Sequence, residues 1–118
     1  MQIFRIGDAH TQELSGCHGG TGEYSVATLV KDPSCSALKY VRDLTLAPGS
    51  TIGLHQHDID EELYYVLSGN GVVEDENHQE KPVAEGTLVL TQKRGSHGLR
   101  NTGRAPMRIL VICVRPPS

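Results

Sequence analysis

Tryptophan is absent from the 118 residues, phenylalanine occurs once and tyrosine four times. A core without large aromatics must be filled mainly by Leu, Val and Ile, which suits strands. Cysteine is scarce as well. Cys17, Cys35 and Cys113 are an odd set with no C-x-x-C spacing, which argues against a secreted disulfide framework. Cys113, inside "MRILVICV", reads as a small buried hydrophobe. No stretch approaches about 18 apolar residues, and "MQIFRIGDAH" contains no apolar leader-like run, so neither a membrane span nor an export signal is expected. Net charge is −3 with dispersed basic residues. That excludes the basic, aromatic-laced face of a nucleic-acid binder. The expectation is one soluble, cytoplasmic domain over residues 1–118.

Long helical periodicity is missing too, and so are internal repeats. What is present is a series of short strand-like runs. They fall at Ile3–Ile6, Tyr24–Leu29, Leu38–Leu46, Gly53–His57, Glu62–Leu67, Gly71–Asp75, Thr87–Leu90, His97–Arg100 and Met107–Val114. Turn chemistry separates them at "APGS", "SGNG", "AEG" and "NTGRAP". Many short strands with Gly/Pro punctuation predict an all-β sandwich or barrel. The "HGGTG" run at 18–22 reads as a flexible loop, and no helix follows it to make a phosphate cradle.

The run "GLHQHDIDEE" carries the chemistry. Side chains two apart on a strand share a face, so His55 and His57 can converge on one ion at about 2.0–2.2 Å per bond. A short turn at Asp58–Glu61 would bring Glu62 back to the same ion, with Glu61 the rival after a one-residue slip. Asp58 and Asp60 read as a solvated turn. Gly49 precedes His55 by six residues and Gly69 follows Glu62 by seven. Further on, His97 follows Gly86 by eleven and Asn101 follows His97 by four.

These spacings resemble the two motifs of the cupin superfamily. The first, G-x5-H-x-H-x3–4-E-x6-G, is met in full over 49–69 by Gly49, His55, His57, Glu62 and Gly69. The second, G-x5-P-x-G-x2-H-x3-N, is met over 86–101 by Gly86, His97 and Asn101. Gln92 stands at its Pro position and Arg94 at its inner Gly position. The resemblance implies a double-stranded β-helix, or jelly-roll barrel, with a metal held by His55, His57, Glu62 and His97. Three imidazoles and a carboxylate form an N3O set suited to Mn, Fe, Co, Ni, Cu or Zn. Four protein donors leave two of six positions for water or a chelating substrate. The glycines at 69 and 86 are expected to make tight reversals with positive φ, and Asn101 to stabilise a turn.

Residues facing inward beside the ligands are the substrate and catalytic candidates. Tyr64 shares the face of Glu62 and is the candidate proton donor; Leu99 shares the face of His97 and would be a wall. On "LKYVRDLTL", either Tyr40, Arg42 and Leu44 or Val41, Asp43 and Thr45 face inward. The first set would hold an anion with a phenol and a guanidinium. His78 is read as a surface residue; His10, His18 and Cys17 receive no role. The chain is most similar to small bacterial single-domain cupins described as oxalate-binding or oxalate-decarboxylase-like, commonly with manganese. The resemblance therefore implies a metal-dependent enzyme acting on a small oxygen-rich anion such as a dicarboxylate, keto acid or sugar acid. A dioxygenase, isomerase or cyclase would use the same ligands, and a binding or sensing protein without turnover is the alternative of another class. It also implies a homodimer, with "MQIFRI" as the exchanging strand.

Overall fold

The computed structural model describes residues 1–116. Among these are ten strands in two antiparallel sheets. They are β1 (Thr11–Ser15), β2 (Glu23–Lys31), β3 (Leu38–Leu46), β4 (Thr51–Gln56), β5 (Glu61–Ser68), β6 (Asn70–Glu74), β7 (Glu80–Ala84), β8 (Leu88–Thr91), β9 (Ser96–Asn101) and β10 (Met107–Val114). One sheet has six strands in the order β1-β2-β3-β10-β5-β8; the other has four in the order β4-β9-β6-β7. The chain thus alternates between sheets and closes a jelly-roll barrel, which removes most free edges.

Strict alternation builds the core. Along β10, Met107, Ile109, Val111 and Cys113 are buried and the residues between them are not. Leu44, Leu46, Tyr64 and Val66 meet them from the neighbouring strands, and Ile52, Val83 and Leu99 complete the core from the four-stranded sheet. Pairing Val111 with Arg42, and Cys113 with Tyr40, fixes which face of β3 points inward. It is the face of Tyr40, Arg42 and Leu44, the first of the two expected sets. Gly69 sits at φ +90, and a Cβ there would meet the Met107 backbone at 2.9 Å. Only glycine fits that reversal. Asn101 ties the same end together, donating to Leu46 O and Ala105 O at 2.9 Å each and accepting from the Gly103 amide at 2.9 Å.

Three expectations change. Ile3–Ile6 is not a strand; a 3₁₀ turn begins at Ile6 and ends at Asp8. The first strand is instead "TQELS", which pairs with β2 but is exposed at every position, so it shows no apolar alternation. The other unanticipated strand, β7, contains Pro82, whose missing N–H is tolerated because β7 is the edge of its sheet.

Candidate metal centre

His55 comes from β4, Glu62 from β5 and His97 from β9, while His57 follows β4 directly. One donor atom from each falls within 4.8 Å of all the others. His97 Nε2 lies 3.0 Å from His57 Nε2, 3.1 Å from His55 Nε2 and 3.1 Å from a Glu62 oxygen. That same oxygen is 3.3 Å from His57 Nε2. Bonds of about 2.0–2.2 Å to neighbouring corners of an octahedron would separate donors by about 2.8–3.1 Å. The four groups therefore fit one ion with only small movements.

Each imidazole is aimed by its other nitrogen. His55 Nδ1 donates to Gly53 O at 2.8 Å. His57 Nδ1 donates to the Asp60 carboxylate at 2.7 Å, and Lys39 holds the second Asp60 oxygen at 2.8 Å. His97 Nδ1 pairs with the Thr91 hydroxyl at 2.8 Å. All three Nε2 lone pairs are thereby turned toward the common point, as metal-binding histidines require. Asp60 is thus not a solvated turn residue: it is buried beside His57, whereas Asp58 remains exposed. Sequence reasoning missed Asp60 and Thr91, although both lie inside the motif spans, three residues after His57 and six before His97.

The carboxylate is placed as firmly. Glu62 turns one oxygen to the imidazoles and accepts a hydrogen bond from the Tyr40 phenol on the other. Burial disfavours its charge, but the His97 imidazole beside it and the hydrogen bond from Tyr40 outweigh that and hold its carboxyl below the usual range. Glu61, the rival ligand, lies outside the cluster. Burial raises the Tyr40 phenol, helped by the neighbouring Glu62 charge, and raises Tyr64 likewise, so both keep their protons. Burial, aided by the surrounding imidazoles, presses His55 down to about 4, leaving it neutral and free to ligate.

Behind Glu62 lies a cavity of about 260 Å³, lined on its polar side by Tyr40, Arg42, Tyr24, Thr28, Cys17 and His18. The Arg42 guanidinium lies over the Tyr40 ring, 3.7 Å from its centroid, and its Nε is buried without a hydrogen-bond partner. Tyr64 lines the same cavity and stacks on His97 with centroids 4.5 Å apart. Leu99 does not reach it; that residue packs in the core, and Ile52, Leu44 and Val111 form the apolar wall instead. A wider depression of about 550 Å³ lies between β6, β7 and β8 and touches the donor cluster only at His97. His78 is on the surface, and His10 is exposed.

The second motif departs from its pattern without disturbing the histidine. Arg94 takes the glycine position with φ +73, and Gly95 O accepts from the His57 amide at 2.9 Å. The turn before His97 is thus also the clamp on the His57 backbone.

Comparison with known proteins gives the same reading. The family model described as "Cupin domain" matches residues 42–113. An oxalate-binding protein of Thermotoga maritima is 31% identical over 113 residues, covering 95% of this chain and 93% of that one. The crystal structure of a predicted oxalate decarboxylase, also from Thermotoga maritima, superposes with a TM-score of 0.91 at 29% identity, covering 98% of this chain and all of that one. The polyketide cyclase RemF of Streptomyces resistomycificus shares the fold at a TM-score of 0.79 and 21% identity, covering 99% of this chain and 82% of that one. The two motifs, the donor cluster and these matches agree: the chain belongs to the cupin family.

Proposed function

We propose that this protein binds a small oxygen-rich anion, such as a dicarboxylate, keto acid or sugar acid, through two oxygens at a metal held by His55, His57, Glu62 and His97. In this reading it then converts that anion as a lyase, oxidoreductase or isomerase. The observation that carries the reading is the buried, unpartnered Nε of Arg42 in the same cavity as Glu62. A buried, unpaired donor calls for an acceptor, and a carboxylate supplies one bidentately. A divalent transition metal would polarise the bound carboxylate or carbonyl and hold it in one orientation. Manganese is the ion of this reading, with Fe, Co, Ni, Cu and Zn the others that an N3O set accepts. Tyr40 keeps Glu62 ionised and fixed. Tyr64 faces the cavity with its proton retained, and is the proposed proton donor.

A second reading is binding or sensing without turnover. Its support is that Glu62 is the sole carboxylate on the cavity lining, and Glu62 is committed to the donor cluster. Among the described residues, no further carboxyl group lines this cavity to shuttle a proton. The oxalate-binding name of the Thermotoga relative points the same way. Manganese-loaded protein titrated with oxalate, pyruvate and a sugar acid separates the readings. A melting temperature raised together with CO2 release or oxygen uptake supports the enzyme, and a rise with no conversion supports the binder. No shift with any acid sinks both, and acid binding undiminished in Arg42→Ala removes Arg42 from the site.

A homodimer and a cytoplasmic location complete the proposal. Free Cys17, Cys35 and Cys113 fit a reducing compartment. The outer face of the six-stranded sheet supports pairing. Register places Val30 beside Val41, Val41 beside Ile112, Ile112 beside Leu63, and Leu63 beside Leu90. One apolar row therefore crosses five strands without a charge, and Leu90 at its end is 54% exposed. A second copy stacked on this face would cover it, with the exposed Ile3 and Phe4 arm alongside. Light scattering at micromolar concentration should give twice the chain mass, falling to one chain in Leu63→Lys/Leu90→Lys. A monomeric wild type removes the idea.

A further inference from the structure

His18 belongs to neither motif and to neither sheet. It sits in a 3₁₀ turn, Cys17–Gly19, and its ring lies flat on the ring of His55, with centroids 3.6 Å apart and planes within 10°. His55 is the ligand that needs such cover. His57, Glu62 and His97 are 9%, 4% and 2% exposed, whereas His55 is only partly buried.

The turn is built to stay where it is. Thr21 and Thr51 bond three times, the Thr21 amide to Thr51 Oγ1 at 2.7 Å, the Thr51 amide to Thr21 O at 2.8 Å and the two hydroxyls to each other at 3.2 Å. The Glu23 amide bonds Ser50 Oγ at 3.0 Å. A Cβ on Gly53 would fall 2.1 Å from His18 O, and one on Gly20 would fall 2.2 Å from Thr51 O. The backbones can touch there only because both residues are glycine. His18 itself holds φ +50, a left-handed conformation that a side-chain-bearing residue takes at a cost. A strained histidine on a pinned turn, pressed against the least protected ligand, needs a reason.

We propose that His18 is a positioning residue of the metal centre. It closes the outer face of His55, fixes the plane of that ring, and so slows release of the ion toward solvent. The inference rests on the donor cluster and not on the nature of the bound acid, so it survives if no acid binds. Cobalt(II) is the probe, because its visible bands report ligand geometry. Wild type, His18→Asn and His18→Phe are loaded with Co2+, their spectra recorded, and release into excess chelator followed by stopped flow. Asn tolerates the left-handed backbone but lacks the ring; Phe keeps a flat ring without nitrogen. His18→Asn should release cobalt roughly three- to tenfold faster, the range for loss of one aromatic pair, with shifted bands. His18→Phe should stay within about twofold of wild type and retain its spectrum. His18→Gly, equally relaxed in backbone, replaces Asn if that variant fails to fold. Release and spectrum unchanged in the ringless variant overturn the proposal. So does a Phe variant as fast as the Asn variant, since stacking would then not be the device. A wild type that takes up no cobalt overturns the metal centre and this inference together, whereas failure of every acid to bind touches only the proposed substrate.

Discussion

The two sides of the donor cluster are built differently. On the closed side, His97 is 2% exposed, lies against Tyr64, and is tied to the Thr91 hydroxyl, while Glu62 is fixed by Tyr40. On the open side, His55 is partly exposed and leans on a turn from outside both sheets. The closed side uses the core that the barrel needs in any case. The open side depends on a separate loop. Strength of donor placement and exchange with solvent are thereby divided between two parts of one centre.

The most severe way to break this contrast is to delete each imidazole. His97→Ala should abolish metal uptake and also lower stability by about 2–4 kcal/mol, because it leaves a cavity in a packed core and frees the Thr91 hydroxyl. His55→Ala should abolish tight uptake too, but lower the stability of the metal-free protein by less than about 1 kcal/mol. Urea melts beside elemental analysis check both. Equal loss of stability in the two variants would erase the distinction between the sides.

A smaller change tests how the closed side holds its carboxylate. Tyr40→Phe keeps the ring under Arg42 and removes only the hydroxyl that binds Glu62. Metal affinity should fall about 10- to 100-fold, the usual cost of losing an outer-sphere partner, with the fold intact by circular dichroism. Competition titration against a chelator measures it. An affinity unchanged in Tyr40→Phe would mean that the imidazoles alone position Glu62.

The open side should show itself in acid. Burial depresses His55 to about 4 and also lowers His18. An unfolded histidine titrates near 6.5, so the unfolded chain takes up protons first as pH falls. The folded state therefore keeps its full advantage above about 6.5 and loses it progressively as pH drops through about 4. Melting temperatures of metal-free protein should decline across that window, and less steeply in His55→Asn. A slope identical in wild type and His55→Asn would contradict the assignment.

Legibility in the sequence follows the same division. The convergence of His55 and His57 and the strands β3 and β10 could be read from spacing and alternation, because a core-facing strand leaves a period of two; His97, and the choice of Glu62 over Glu61, came from the resemblance to the cupin motifs. Asp60 was misread because a buried acid and a solvated acid look alike until a partner is known; here the partners are His57 and Lys39. His18 carried no signal, since its glycine-rich neighbours describe flexibility equally well as close packing. Strand β1 was hidden because all five of its residues are exposed. Pairing in that strand rests on backbone hydrogen bonds, which composition does not reveal.

Arg94 is where a departure from the motif became informative, and it yields the smallest expected effect. The cupin pattern has glycine there, and the structure explains the preference: φ is +73. An arginine pays the steric penalty of the left-handed region, which glycine does not. The Arg94 guanidinium enters no ion pair among the described residues, whereas the glycine-compatible backbone around it clamps His57. Arg94→Gly should therefore stabilise the protein by about 0.5–1 kcal/mol, even after the added entropy of the unfolded chain is counted. Metal affinity should hold within about twofold, since the clamp is made by backbone atoms. A destabilised Arg94→Gly would mean that the side chain contributes packing worth more than the strain it imposes, and the turn before His97 would then be a second point, beside His18, at which this chain has built its own support for the centre.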